Sequence, residues 1–167
     1  TAYVASGCDN PRFYFGGFFP RKDAERAALL DGLRALDAAL VFYESPNRLA
    51  SALAALAAAL PQREAAVCRE LTKLHEEVVR GPLPEVRDEF AERAGAGGRG
   101  VKGEIVIVVD GPNAAEGAAA AEGAQQAAAA RAAELKAAGA RNKDIARALA
   151  DEFGIARNVA YDLALKA

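Results

Sequence analysis

The chain has 167 residues, is 52% hydrophobic and 26% charged, and carries a formal net charge of −2. That suffices for one globular domain with a small appendage, because a domain of roughly 110 residues buries about two-thirds of the surface its unfolded chain exposes. The near-neutral balance argues against a protein that coats DNA non-specifically, no apolar run approaches the ~20 residues of a membrane span, and no signal peptide is visible.

Thr1 to Gly7 is small and apolar and reads as the end of a helix. Asp9, Asn10 and Pro11 signal a turn. Arg12 to Phe19 alternates aromatics with glycines and predicts a strand in which Gly16 and Gly17 mark a bulge or a close backbone approach. Asp23 then caps a predicted helix from Ala24 to about Leu36. Leu40 to Tyr43 predicts a buried strand, and Ser45 followed by Pro46 predicts a capped helix start. In the helix to Leu60, Leu49, Leu53, Leu56 and Leu60 draw one apolar stripe. Glu64 to Leu71 and Glu76 to Arg80 predict two more strands, Pro84 to Arg93 a short helix, and Gly95 to Gly103 a flexible loop. Ile105 to Val109 is an unbroken β-branched run and is expected at the centre of the sheet. The reading is an α/β or α+β domain with a mixed sheet of about five strands flanked by helices, over residues 1–112.

Composition changes after Pro112. Residues 113–127 are almost all Ala, Gly, Glu and Gln, and read as a linker, a helix or both. Residues 128–167 form a small helical unit: Arg131 to Ala138, then a helix capped by Asn142 and ended by Gly154, then Arg157 to Lys166. Ile145, Leu149, Phe153, Ile155, Val159 and Leu163 are its expected core, and the pattern is helix-turn-helix-like. Its cations Arg141, Lys143, Arg147 and Arg157 have as many acids around them, so a solvated surface is as good a reading as nucleic-acid contact. Cys8 and Cys68 have no metal-ligand spacing and read as free thiols of a cytosolic protein.

Three polar clusters interrupt otherwise apolar strand ends: Pro20 to Lys22, Glu44 to Arg48, and Arg69 to Lys73 with Glu76 and Glu77 beyond. If these ends converge, several cations and at least two carboxylates share one site, which suits an anionic substrate with a proton to remove. Ordinary solvated ion pairs are the plainer alternative. His75, the only histidine, is assigned no catalytic role. There is no Walker loop, no dinucleotide glycine motif, no nucleophile elbow and no metal site.

Four motifs occur in order: Gly17 to Lys22 (GFFPRK), Phe42 to Arg48 (FYESPNR), Arg69 to Lys73 (RELTK) followed by Glu76 and Glu77, and Gly103 to Val109 (GEIVIVV). Together they resemble the second half of the small-subunit ribosomal RNA ribose methyltransferases, a family of the tetrapyrrole-methylase-like superfamily. The resemblance covers roughly residues 1–112, and the tail fits the helical appendage that such proteins carry. It implies the second domain of a two-domain α/β fold, with S-adenosyl-L-methionine in the cleft between the domains. It also implies transfer of a methyl group to a cytidine 2′-hydroxyl in the decoding region of 16S rRNA, by a cytoplasmic homodimer that binds the small ribosomal subunit and no membrane. The family's Gly-rich donor-binding segment, ending in Asp-Pro-Gly, has no match here. The chain is therefore expected to be a C-terminal part, inactive alone. Asn47 stands where the family has His.

Under this resemblance Glu44 or Glu70 accepts or orients the hydroxyl proton, or Lys73 does so if burial among Arg69 and Arg48 lowers its pKa. Arg21, Lys22, Arg48 and Arg69 are expected to hold flanking phosphates, contacts that position RNA without reading its sequence. Tyr43, Ser45, Gly103 and Glu104 are expected to face the donor. Two alternatives stand beside this reading. One is a non-catalytic module that binds ribosomal RNA or protein; the other is a methyltransferase of corrin or porphyrin precursors, which the charged motifs fit less well.

Overall fold

Five short apolar runs pair into one sheet in the computed structural model, which describes residues 1–95 and 101–167. They are β1 (Phe13–Phe18), β2 (Ala39–Glu44), β3 (Glu64–Arg69), β4 (Glu77–Pro82) and β5 (Ile105–Val109). Their order is β1-β2-β5-β3-β4. β1 and β2 are parallel, and every other pairing is antiparallel. The mixed sheet and the central place of Ile105–Val109 are as the sequence predicts. A β-branched run is favoured there because both of its faces are covered.

Alternation sorts the strand residues between two faces. On one face Leu40, Phe42, Val67, Ile105, Ile107 and Val109 meet three helices, α2 (Asp23–Leu33), α3 (Leu49–Ala59) and α4 (Leu83–Gly95). The predicted leucine stripe of α3 is wholly buried there. Each buried leucine stabilises by about 1.5–3 kcal/mol, so this stripe fixes which way α3 faces. On the other face Ala39, Val41, Ala66, Cys68 and Val108 meet Ala2 of the short helix α1 (Ala2–Ala5). Both cysteines are free. Burial, helped at Cys8 by a hydrogen bond to Asp110, pushes each thiol up to about 11.

Several local expectations are corrected. β3 stops at Arg69 rather than Leu71, because Glu70 (φ 49°) and Thr72 (φ 66°) leave extended geometry. β4 continues through Gly81 to Pro82, which sits on an edge strand opposite Glu64 and so forfeits no ladder bond. Asp23 is the first residue of α2 and not its cap, and α2 ends at Leu33. Ser45 stands at the N-cap of a 3₁₀ turn, Pro46–Arg48, but its hydroxyl caps nothing, and the α-helix begins only at Leu49. Gly95 closes α4, and the rest of the predicted loop falls largely on residues 96–100, outside the described residues. Of the β1 aromatics, Phe13, Phe15 and Phe18 are exposed.

Both glycines of β1 are needed where they stand. Gly17 (φ 68°) lies within the register shift between Phe15 and Phe18. A Cβ at Gly16 would lie 2.3 Å from Cε1 of Phe42, whose ring is fully buried.

The chain divides into two compact units, Thr1–Asn113 and Ala114–Ala167. The second consists of α5 (Ala114–Ala137), α6 (Asn142–Phe153) and α7 (Arg157–Lys166). The stretch 113–127 is therefore helix from Ala114 onward, solvated along most of its length. Arg141, not Asn142, occupies the N-cap of α6, and Gly154 ends that helix in the left-handed conformation. Ile145 and Leu149 are core as predicted, but their partners are Ala128, Ala132, Ala160 and Ala164, with Phe153, Ile155 and Leu163 at the margin. Val159 is not part of this core. Among the described residues no helix is long and apolar enough to cross a membrane, and no group of three or more His, Cys, Asp or Glu could hold a metal ion.

Gly16→Ala is expected to lower unfolding stability by about 1–3 kcal/mol in a urea titration, because the Phe42 ring cannot give way. Gly117→Ala, whose new methyl meets nothing within 4 Å on α5, is expected to raise the helicity read by circular dichroism.

Candidate functional site

Register sets up the site. Glu44 pairs with Ile105, Ile105 with Arg69 and Arg69 with Glu77, so these four residues form one row across β2, β5, β3 and β4. With strands about 4.8 Å apart, the backbones of Glu44 and Arg69 are roughly 10 Å apart. β1 runs parallel to β2 and delivers Phe18, and then Pro20 to Lys22, to the same end. All three polar clusters thus leave the sheet at one end, where charged side chains form three hydrogen-bonded groups.

The first group centres on Glu44, whose side chain is 0% exposed. Arg48 grips it with both arms: Nε donates to Oε1 at 2.8 Å and Nη2 to Oε2 at 2.6 Å. The Ser45 N–H donates to Oε1 at 2.6 Å. Arg48 Nη2 also donates to the Phe19 carbonyl at 2.7 Å, tying the end of β1 to the start of α3. The Glu44 hydrogen bonds raise the Arg48 pKa further. Glu44 and Arg48 are therefore spent on each other and on the backbone.

The second group is open to solvent. Glu70 and Glu104 are linked twice: the Glu70 N–H donates to the Glu104 carbonyl at 3.0 Å, and the Glu104 N–H donates to Glu70 Oε1 at 2.7 Å. Lys73 Nζ lies 3.2 Å from Glu70 Oε1 and 3.0 Å from Glu104 Oε2. Gly103 permits this closeness, because a Cβ there would fall 2.4 Å from Glu70 Oε1. The Glu104 N–H, and then Lys73, hold the Glu70 carboxyl below its ordinary value. Hydrogen bonds to Glu104 and Glu70 raise the Lys73 pKa. This corrects the expectation of a lowered lysine pKa: the neighbours of Lys73 are two carboxylates rather than Arg69 and Arg48, so it stays an ammonium.

Arg69 donates through Nε to Glu77 Oε2 at 2.9 Å, and Arg93 of α4 donates to Glu77 Oε1 at 3.0 Å. Burial pulls the Glu77 pKa up, but these two hydrogen bonds outweigh it and leave the carboxyl lowered. Of the four proposed phosphate ligands, Arg48 and Arg69 are thus engaged internally, and Lys22 pairs with Glu25 at 3.0 Å. Arg21 is exposed, and no ion pair engages it among the described residues.

Tyr43 is 44% exposed on the face away from α2, α3 and α4, with its ring 5.0 Å from that of Phe15 and 5.5 Å from that of Phe18. Ser45 follows Glu44 and Glu104 precedes its partner Ile105, so the four expected donor-facing residues, Tyr43, Ser45, Gly103 and Glu104, lie where β2 ends and β5 begins. His75 is exposed beyond β3. The Phe15 and Phe18 rings were not singled out from sequence. Their signal was the Gly16–Gly17 pair, whose bulge brings Phe18 into register with Tyr43.

A parallel β1-β2 pair in an otherwise antiparallel sheet, flanked by helices and with charged side chains gathered at one end, defines a mixed α/β domain. Residues 10–87 match the family of tetrapyrrole (corrin/porphyrin) methylases, so the chain carries a domain of that family. Over 168 residues it is 42% identical to ribosomal RNA small subunit methyltransferase I of Mycobacterium bovis, a match that covers 99% of this chain and 54% of that protein. The protein of the same name from Bacillus subtilis is 40% identical over 113 residues, covering 68% of this chain and 37% of that one. The chain thus spans between about a third and about half of the length of these relatives. Among solved structures, the methyltransferase CobJ is similar with a TM-score of 0.47 and 17% identity, covering 66% of this chain and 46% of that chain.

Gly103→Ala is expected to push Glu70 off the Glu104 N–H and move its pKa up toward the ordinary glutamate value of about 4.3, read by NMR titration of the side-chain carboxyl. The sign for stability follows. A depressed folded-state pKa contributes stability that is complete above the unfolded-state value and is lost as pH falls through the lower folded value. The native chain should therefore lose stability on acidification below about pH 4 more steeply than the variant.

Proposed function

We propose that this chain forms one wall of the cleft of an S-adenosyl-L-methionine-dependent methyltransferase acting on the ribose 2′-hydroxyl of a cytidine in the decoding region of 16S rRNA. The homodimer, the small ribosomal subunit as partner and the cytoplasmic location belong to the same reading. The observation that carries it is the convergence of the rim. Three separate stretches bring an ammonium, two open carboxylates and an exposed guanidinium to one sheet end, in a chain whose relatives are named for ribosomal RNA methylation.

The residues present suit the donor. Tyr43 offers a half-open aromatic ring, and the Ser45 hydroxyl makes no hydrogen bond among the described residues. The Glu104 side chain is 84% exposed beside Gly103. These four would line the donor's side of the cleft, and the donor supplies the methyl group.

The chain's own residues have divided duties. A 2′-hydroxyl is a poor nucleophile until its proton has an acceptor positioned for it. Glu70 anchors Lys73, and the Lys73 ammonium orients the ribose oxygen by donating to it. The proton passes to the carboxylates that flank Lys73, and Glu104 is the better placed, since its side chain is 84% exposed against 20% for that of Glu70. Glu44 and Arg48 act by holding the rim still. Arg69 does the same through Glu77, while Arg21 and Lys22 meet RNA phosphates.

The test is a chimera in which this chain replaces the matching segment of the Mycobacterium bovis relative, assayed with radiolabelled donor and small ribosomal subunits. Label is expected in 16S rRNA at one cytidine. Lys73→Ala should lower turnover by about 100-fold, and Arg21→Glu should raise KM with little change in kcat. Undiminished turnover with Lys73→Ala would remove the lysine from the mechanism.

A further inference from the structure

The helical unit carries a second charged surface that the rim does not use. α6 and α7 are joined by three residues, Gly154, Ile155 and Ala156, with the left-handed Gly154 making the turn and Ile155 packed on the core. Small residues Ala160 and Ala164 let α7 approach Ile145 and Leu149 closely. A short turn of this kind between two crossing helices is the helix-turn-helix arrangement. On its outer side lies a groove of about 310 Å³ lined by Lys143, Asp144, Arg147, Asp151, Arg157 and Tyr161.

The charges in this groove are poorly explained by the fold. Lys143 and Arg147 are four residues apart on α6, a spacing at which like charges repel. Arg157 opens α7, where the helix dipole disfavours a cation. None of the three is in an ion pair among the described residues, whereas Arg131 and Arg141 in the same unit both are. Asp144 is taken by Arg141 at 3.1 Å. Asp151, one turn beyond Arg147, is the one acid of the groove left without an ion pair, so three cations face one carboxylate. Tyr161, one turn on from Arg157, is 47% exposed in the same groove.

We propose that the α6–α7 groove binds RNA: Lys143, Arg147 and Arg157 contact successive phosphates, and Tyr161 stacks on an unpaired base. Phosphate neutralisation supplies affinity, and aromatic stacking is a recurrent way to hold a single-stranded base. The choice of RNA as the polyanion rests on the function proposed above. The groove makes the helical unit an anchor for a substrate whose reacting ribose is handled by the other unit.

The test is fluorescence anisotropy with the whole chain and a fluorescein-labelled RNA hairpin carrying the 16S decoding-region sequence. The triple variant K143E/R147E/R157E is expected to weaken binding at least 10-fold and to flatten the log–log salt dependence by about 2–3. K143R/R147K/R157K should retain affinity, and Tyr161→Ala should weaken it without altering the salt slope. All four positions are exposed, so circular dichroism should show native helix content in each variant. Unchanged affinity in the triple reversal, absence of hairpin binding by the native chain, or stronger binding to duplex DNA of the same sequence would each overturn the inference. The readout needs no methyl transfer, so an inactive chimera that still binds RNA through this groove would sink the proposed reaction and leave the groove assignment standing.

Discussion

A carboxylate with no solvent exposure stands at the end of β2, and the unit around it depends on how that charge is satisfied. Taking an ionised carboxylate out of water costs several kcal/mol even after relaxation, and only good geometry with additional hydrogen bonds offsets this. Glu44 has both. Arg48 meets its two oxygens, and the Ser45 N–H adds a third donor. The same guanidinium reaches the Phe19 carbonyl, so one ion pair fixes the end of β1, the end of β2 and the turn into α3. Phe19 is then packed edge-on against Phe42 at 5.2 Å, with the Arg26 guanidinium over its ring at 5.4 Å. Arg26 in turn donates to the Pro20 carbonyl at 2.8 Å, which fixes the chain just before Arg21.

The rim therefore has a locked half and an open half. The locked half is Glu44, Arg48 and the Arg69–Glu77–Arg93 chain, with every charge paired and held by elements on the helical face. The open half is Glu70, Lys73, Glu104 and Arg21. A site gains from this division, because reacting groups are useful only when their support does not move. The row of paired residues from Glu44 to Glu77 gives that support a rigid backbone spacing.

Much of this architecture was legible in the sequence, where the local signal and the tertiary demand agree. Five consecutive β-branched residues have few other uses than a central strand. Leucines at positions 49, 53, 56 and 60 can only point one way on a helix. The convergence of the charged clusters was legible because each follows a strand, though the partners within the clusters were not. The sequence reading sets Lys73 beside Arg69 of its own motif and Arg48 of the one before, whereas strand pairing brings it Glu104 from about thirty residues away. Ser45 reads as a cap because hydroxyls usually serve there, but the Arg48 N–H, a donor that hydroxyl would take, goes to the Ser45 carbonyl instead. Of the exposed β1 aromatics, Phe13 meets Tyr3 of the short helix α1 with ring centroids 5.0 Å apart, while Phe15 and Phe18 lie against Tyr43. In the helical unit alanines, invisible to a search for large apolar residues, carry much of the packing.

The central claim is that the Glu44–Arg48 pair holds the rim together, and a double-mutant cycle tests it most directly. Glu44→Gln, Arg48→Met and the double variant would be unfolded in urea and compared with the native chain. The account predicts a coupling energy of about 2–3 kcal/mol, with Arg48→Met alone the most damaging change because it strands a buried charge. A coupling below about 0.5 kcal/mol, the scale of an exposed ion pair, would contradict it.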